Sequence, residues 1–291
     1  MRVFQCPFLR PMAALAVVIL AGACCKSANA AESPKKAAGD HKAQRLLLIG
    51  QGPDGHPHAT HEFMPGVNLL AKLLSHTPDL QTIVVKADEP WKEGPELIDG
   101  ADGLLLFVSQ GARWIQQDAA RLAAIQKLAA RGGGLSALHW GIGCKEPQYI
   151  DEFVKLFGGC HGGPDRKYKV INVRAEPAAG NHPILNGIGN FDVEDEFYYA
   201  LKFAKPAGSV NPLLRVPIEA ESHTVAWSWE RPDGGRSFGY SACHFHRNWE
   251  LPQYRRLVAH GLLWTLGRPI PADGMDVAVR TEDLALPKRE K

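Results

Sequence analysis

The sequence predicts a doubly wound α/β domain, and three observations carry that prediction. Four short aliphatic runs lack polar alternation, two amphipathic stretches lie between them, and a second group of strand-like segments follows, separated by Pro/Gly turns. Unalternating runs are what parallel strands covered on both faces require, because neither face meets water.

The runs are "QRLLLIG" (44–50), "QTIVVKA" (81–87), "GLLLFVS" (103–109) and "LSALH" (135–139). Between them, "MPGVNLLAKLLSH" (64–76) and "QQDAARLAAIQKLAARG" (116–132) carry apolar residues at helical spacing, and the second reaches Gly132, a natural C-cap position. After residue 165, "KYKVINVRAE", "FDVEDEFYYALKF", "NPLLRVPIEA", "HTVAWSWE" and "RSFGYSACH" predict a succession of strands. "LPQYRRLVAHGLLWTLG" (251–267) predicts a closing amphipathic helix. There is no internal repeat and no second core pattern, so the strand-rich part is expected to be an insertion in one domain over 44–268. The Pro-rich, charged tail 269–291 is expected to wrap the surface.

The N-terminus reads as an export signal over 1–30. Arg2 and Arg10 form a basic region, "AALAVVILAGA" is too short to span a bilayer, and Ala28-Asn29-Ala30 has the small-x-small pattern of a cleavage site. A lipoprotein route through Cys24 competes less well, because "AGAC" has Ala where a larger aliphatic residue is usual. A periplasmic or secreted protein is expected, with no membrane span after cleavage. The polar, alanine-rich stretch 31–43 reads as a linker. Cleavage removes Arg2, Arg10, Lys26 and no acid, so the net charge of +2 becomes −1. That balance offers no electrostatic footprint for nucleic acid. Cys144, Cys160 and Cys243 remain. No CxxC pair occurs, so a thiolate zinc site is not expected, and Cys144 with Cys160 is an open option for one disulfide.

In an open parallel sheet, ligands bind beyond the carboxyl ends of the strands. The loop after the first strand, "QGPDGHPHATHE", carries His56, His58, His61 and Glu62. The third strand ends at Ser109-Gln110-Gly111, and the fourth at His139-Trp140-Gly141. In many α/β enzymes the turn after such a strand displays a Ser or Cys nucleophile, whereas here its tip is His139. A histidine there can transfer protons near neutral pH or bind a metal. In "EDEFYY", Asp195 and Glu196 point to opposite strand faces, with Tyr198 on the face of Glu196. In "CHFH", alternation places His244 and His246 together and Cys243 opposite. His182, before Pro183, is a turn residue with a site role open. Trp227 and Trp229 read equally as core or sugar platform, and "RKYK" (166–169) as a solvated strand start. The triple glycine 132–134 precedes a strand, so it is no phosphate cradle.

The chain resembles the trehalose-utilisation (ThuA-like) family of the class I glutamine amidotransferase-like superfamily. The resemblance runs in order through "HEF" (61–63), "ADGLLLF" (101–107), "RGGGLSALHWG" (131–141), "LFGGCHGG" (156–163), "HPILNGI" (182–188), "EDEFYY" (194–199) and "FGYSACHFHRNWELPQYRRLVAHGLLWTLG" (238–267). It implies a flavodoxin-like fold with a strand-rich C-terminal insertion. Where the amidotransferases carry cysteine, the family has a "GLH" pattern, matched by Ala137-Leu138-His139, so glutamine hydrolysis is not expected. It also implies carbohydrate catabolism, with a small sugar or 3-keto sugar as substrate. The expected catalytic residues are His139, Glu196 and His244. His61, Gln110, Trp140, His182 and Tyr198 are expected at the substrate. No cofactor is certain, and the alternatives are a metal-dependent hydrolase or lyase with zinc on His58, His61 and His139, or a non-catalytic carbohydrate-binding or scaffold protein.

Overall fold

The computed structural model describes residues 43–178 and 180–288. The expected export signal, Cys24, the linker apart from Ala43, and tail residues 289–291 lie outside the described residues. The chain opens with β1 (Gln44–Gly50), α1 (Phe63–Leu74), β2 (Leu80–Lys86), α2 (Gly94–Asp99) and β3 (Gly103–Phe107). Next come α3 (Gly111–Gln116), α4 (Ala119–Ala130), β4 (Gly134–Leu138) and a single 3-10 turn, His139–Ile142. Then follow β5 (Gly143–Cys144), α5 (Ile150–Phe157), β6 (Gly159–Gly162), β7 (Lys167–Pro177), β8 (Phe191–Tyr199) and β9 (Lys202–Phe203). The last elements are β10 (Asn211–Ile218), β11 (Glu221–Glu230), β12 (Arg236–Tyr240) and α6 (Pro252–Thr265).

One nine-stranded sheet runs in the order β2-β1-β3-β4-β12-β11-β10-β7-β8. The strands from β2 to β12 are parallel to their neighbours. Beyond β12 every pairing is antiparallel. The parallel part has the flavodoxin-like order 2-1-3-4-5, with β12 as the fifth strand. The strand-rich segment is therefore inserted between the fourth and fifth parallel strands, and it widens the same sheet instead of building another core. β5, β6 and β9 form a small separate sheet.

Dryness on both faces explains the unalternating "LLLI" of β1. Leu46 and Leu48 pack with Phe63, Val67 and Leu70 of α1 and Leu257 of α6. Leu47 and Ile49 pack on the other face, with Ile125 and Leu128 of α4. All four strand side chains are fully buried, each worth about 1.5–3 kcal/mol of transfer from water.

Several expectations need correction. The helix expected over 116–132 starts three residues later, at Ala119, because the Asp118 carboxylate accepts from Arg121 N at 2.9 Å and caps its N-terminus, while a separate short helix, α3, ends at Gln116. α5 was not anticipated from its short "IDEFVKLF". The strand in "RSFGYSACH" stops at Tyr240, and His246 begins a 3-10 turn, His246–Glu250. His244 and His246 therefore share no strand face, and the His246 ring instead meets the tail, with Nε2 3.1 Å from Leu284 O. Trp227 is core, fully buried with its indole N–H donating to Phe157 O at 2.9 Å. Among the described residues, Cys144, Cys160 and Cys243 are free and buried. No disulfide joins Cys144 to Cys160, and the Cys144 thiol donates to Glu146 O at 3.2 Å. Among the described residues no helix is long and apolar enough to cross a membrane.

Candidate functional site

The carboxyl edge of the parallel strands gathers the titratable groups. His61 ends the loop after β1, His139 begins the turn after β4, and His244 follows β12. Three of these turns are strained: His61 (φ 51°), His139 (φ 47°) and Cys243 (φ 89°) all hold left-handed backbone without being glycine. Such conformations cost of order 1–3 kcal/mol each and concentrate at functional sites. Close approach helps enforce them. A Cβ on Gly141 would sit 2.6 Å from Leu106 O, and one on Gly111 would sit 2.1 Å from Gly141 O. The β3 and β4 turns thus touch backbone to backbone. His61 N also donates to His244 O at 3.1 Å, tying the first loop to the last.

His139 Nε2 lies 3.0 Å from His61 Nε2, 3.2 Å from His244 Nδ1 and 3.1 Å from the Tyr198 hydroxyl. The far side of each ring decides what these atoms are. His139 Nδ1 lies 3.0 Å from Ser241 O, a carbonyl that can only accept, so Nδ1 carries the proton and Nε2 a lone pair. His61 Nδ1 lies 2.8 Å from an Asp54 oxygen, so its Nε2 is likewise a lone pair. Asp54 is held as carboxylate well below the usual range by hydrogen bonds and charge from His61 and His56, which outweigh its burial. Two lone pairs 3.0 Å apart repel unless a proton or a cation lies between them. A proton is opposed by the surroundings. Burial, with the neighbouring imidazoles, drives His139 well below 6.5, lowers His61, and brings His244 to about 4.

A cation fits better. Neutral imidazoles suit zinc and related ions, and outer hydrogen bonds to a carboxylate and a carbonyl are the usual means of aiming metal-binding histidines. Zinc bound at about 2.0–2.1 Å in a tetrahedral site spaces its ligands about 3.3 Å apart, close to the 3.0 and 3.2 Å seen here. His61, His139 and His244 are the set whose ligand atoms converge. A second, more open group is Asp54, His56 and His61.

Beside the cluster is a cavity of about 280 Å³ lined by His56, His61, Trp140, Lys145, His161, Arg166, Tyr168, Glu196 and Tyr198. The Tyr198 ring is sandwiched between His161 (centroids 4.0 Å) and His139 (4.6 Å). Its single hydroxyl proton has two acceptors, Glu196 and His139 Nε2. Burial pushes the Tyr198 pKa well above 10, and burial, then the Asp195 charge, raises that of Glu196. A larger cleft of about 590 Å³ lies between α1 and the tail, but it carries no such cluster.

The structure therefore brings His139, His244, His61, Glu196, Tyr198 and Trp140 together and leaves three expected residues elsewhere. His58 is exposed and outside the converging set, so in the ligand trio its place falls to His244. His182 caps the 3-10 turn Pro183–Leu185, accepting from Ile184 N at 3.2 Å, with Nε2 3.1 Å from Ser228 Oγ; it faces β11. Gln110 holds a left-handed turn (φ 50°) before α3 and does not line the cavity.

Three residues were missed: Asp54, His56 and Asp195. His56, expected only as one of the loop histidines and given no role, stacks on His61 at 3.6 Å and shares its Asp54. Asp195, the acid on the other strand face, is fully buried and accepts from the backbone N–H groups of Cys243, His244 and Phe245 at 3.1, 3.2 and 3.3 Å. It also accepts from the Tyr254 hydroxyl at 2.6 Å. Asp195 therefore holds the strained turn that presents His244. The one sequence signal for Asp54 and His56 was their position in a polar loop at the right strand end.

These features define a flavodoxin-like α/β protein with a strand-rich extension and a buried histidine cluster at the carboxyl edge of its parallel strands. The profile of the trehalose-utilisation (ThuA) family matches residues 54–265, and the chain belongs to that family. Crystal structures of ThuA-like proteins from Bacteroides uniformis and Parabacteroides merdae each superpose with a TM-score of 0.59. Their identities are 16% and 13%, covering 83% and 84% of this chain and 96% and 99% of theirs. A protein of Salmonella typhimurium LT2, STM1381, described as cytoplasmic, gives 0.55 at 13% identity over 76% of this chain and 99% of its own. At such identities the likeness is one of fold. No curated protein matches in sequence.

Proposed function

We propose that this ThuA-family protein is an enzyme of carbohydrate catabolism. His61, His139 and His244 hold a divalent transition ion, zinc by donor chemistry, beside a cavity that takes a sugar or 3-keto sugar. One observation carries the metal: two imidazole lone pairs face each other at 3.0 Å, each aimed by an acceptor behind its ring. Such an ion supplies a Lewis acid for a sugar carbonyl or hydroxyl oxygen. The sugar comes from the family, and the chain's own residues supply the proton chemistry. Glu196 lines the cavity and, with its raised pKa, is the group suited to take a proton. A ketone at C3 acidifies the C2 proton, and its removal by Glu196 leads to expulsion of the C1 oxygen or to isomerisation. Tyr198 keeps its proton at neutral pH and donates it to Glu196 or to a substrate oxygen. His139 serves as a ligand, not as the base that contacts substrate, because it is fully buried behind His61, His244 and Tyr198.

Elemental analysis of the purified protein tests this, with turnover of 3-keto-disaccharides before and after chelation. About one zinc-class ion per chain, and activity lost on chelation and restored by metal, is the expected result. Full activity in metal-free protein would return His139 to the role of general base, and metal binding without turnover would favour a binding protein. We also propose that the chain is exported on the strength of residues 1–30. A mature N-terminus at Ala31 in the exported fraction is expected, and an intact Met1 in cytoplasm would refute it.

A further inference from the structure

The same cavity carries two cations that the proton chemistry leaves unused. Arg166 is half-buried, and its guanidinium donates from Nη1 to Gly163 O at 3.1 Å. Lys145 lines the same cavity. Each has an acid next to it in sequence, and each acid is engaged elsewhere: Asp165 pairs with Lys202 at 2.8 Å, and Glu146 with Arg113 at 3.1 Å. Neither cation forms an ion pair with Glu196, which also lines the cavity, so the cavity holds separated charges of both signs. The Arg166 charge reaches inward as well, helping to depress both His161 and Cys144. Beside them Tyr168, 58% exposed, offers an aromatic face at the rim.

We infer that this cavity selects sugars bearing a carboxylate, of hexuronate type, with Arg166 and Lys145 as the specificity-determining pair. The inference rests on the proposed reading of the cavity as a sugar site. A guanidinium fork matches a planar carboxylate with two parallel hydrogen bonds, and an ammonium adds a point charge. A volume of about 280 Å³ lies just below the range of drug-sized sites, about 300–1,000 Å³, and suits one pyranose ring. The carboxylate would sit on the cations, leaving the reacting carbons towards Glu196 and the histidines.

Titration calorimetry with D-glucuronate, D-glucose and D-glucose 6-phosphate tests this, on zinc-loaded protein and on protein stripped of metal. Glucuronate is expected to bind at least about ten-fold more tightly than glucose in both forms, with the preference falling about ten-fold in Arg166→Met and in Lys145→Met, equivalent to about 1.4 kcal/mol. Both variants should keep wild-type zinc stoichiometry and melting temperature, which separates lost recognition from lost fold. Equal binding, or no binding, of glucuronate and glucose overturns the inference. Tighter binding of glucose 6-phosphate overturns the carboxylate assignment. A glucuronate preference seen only with zinc and untouched by Arg166→Met places the carboxylate on the ion, and the metal reading then survives alone. A preference that persists in wild-type protein unable to bind zinc supports the cationic pair while the metal reading fails.

Discussion

Replacing Asp195 with Asn should loosen the His244 turn without removing any group that touches metal or substrate. Oδ1 accepts from Glu196 N at 2.9 Å, His244 N at 3.2 Å and Phe245 N at 3.3 Å, while Oδ2 accepts from Cys243 N at 3.1 Å and the Tyr254 hydroxyl at 2.6 Å. In the variant the amide oxygen can keep the three donors on the Oδ1 side. The new NH2 group then faces Cys243 N–H and Tyr254. The tyrosine hydroxyl can rotate and accept, but the amide of Cys243 cannot. One buried N–H therefore loses its acceptor, at a cost of about 1–3 kcal/mol, and it belongs to the residue whose φ of 89° most needs restraint. Taking about 2 kcal/mol, a domain of this size should melt about 4–8 °C lower. Zinc affinity should fall about ten-fold as His244 drifts, the scale seen when outer supports of a metal site are removed. Thermal melting and competitive zinc titration measure both. A variant with wild-type melting temperature and wild-type zinc affinity would refute the assignment of Asp195 as the anchor of this turn.

Other outcomes follow from the same geometry. Asp54→Asn should lower zinc affinity about 10–100-fold with the fold intact, because His61 Nδ1 loses its carboxylate acceptor; unchanged affinity would show that His61 is aimed by something else. His139→Ala should abolish zinc binding, whereas His58→Ala and His182→Ala should keep it, and elemental analysis of the three variants distinguishes the observed cluster from the ligand set expected from sequence. Acid should destabilise the protein early. Burial lowers His244 and His260 to about 4 and His161 to about 3, below the ordinary 6.5 of the unfolded chain. As pH falls the unfolded chain takes up protons first, so stability is complete above about pH 6.5 and is lost progressively down to about pH 3, of order 3 kcal/mol per such histidine. An equal melting temperature at pH 7 and pH 5 would contradict this. Gly141→Ala should destabilise by about 1–3 kcal/mol, since its Cβ would meet the Leu106 carbonyl at 2.6 Å; a stable, fully active variant would show that the β3 and β4 turns can move apart.

The parallel strands, the amphipathic helix α1 and the closing helix α6 were legible in sequence because each is a local pattern: a run dry on both faces, or a 3.6-residue stripe. The position of His139 was legible too, since the strand-to-turn geometry is encoded by "GLSALHWG" itself, and strand alternation correctly put Glu196 with Tyr198. What needed the tertiary structure is everything that joins distant segments. That β12 is the fifth parallel strand depends on pairing Ser237 with Leu135 across the whole insertion, and no local period encodes a partner about a hundred residues away. The exchange of His58 for His244 has the same origin. Sequence spacing favours two histidines of one loop, but the loop backbone turns His58 outward, while Asp195 pulls residues 243–245 off the strand line and brings His244 to His139. Alternation along β8 could say that Asp195 faces away from Glu196. Only the packing of β8 against the 241–245 turn decided that the buried acid, with five donors around it, organises the site from behind, because hydrogen-bond demand in a dry interior is settled by which backbone groups happen to meet there.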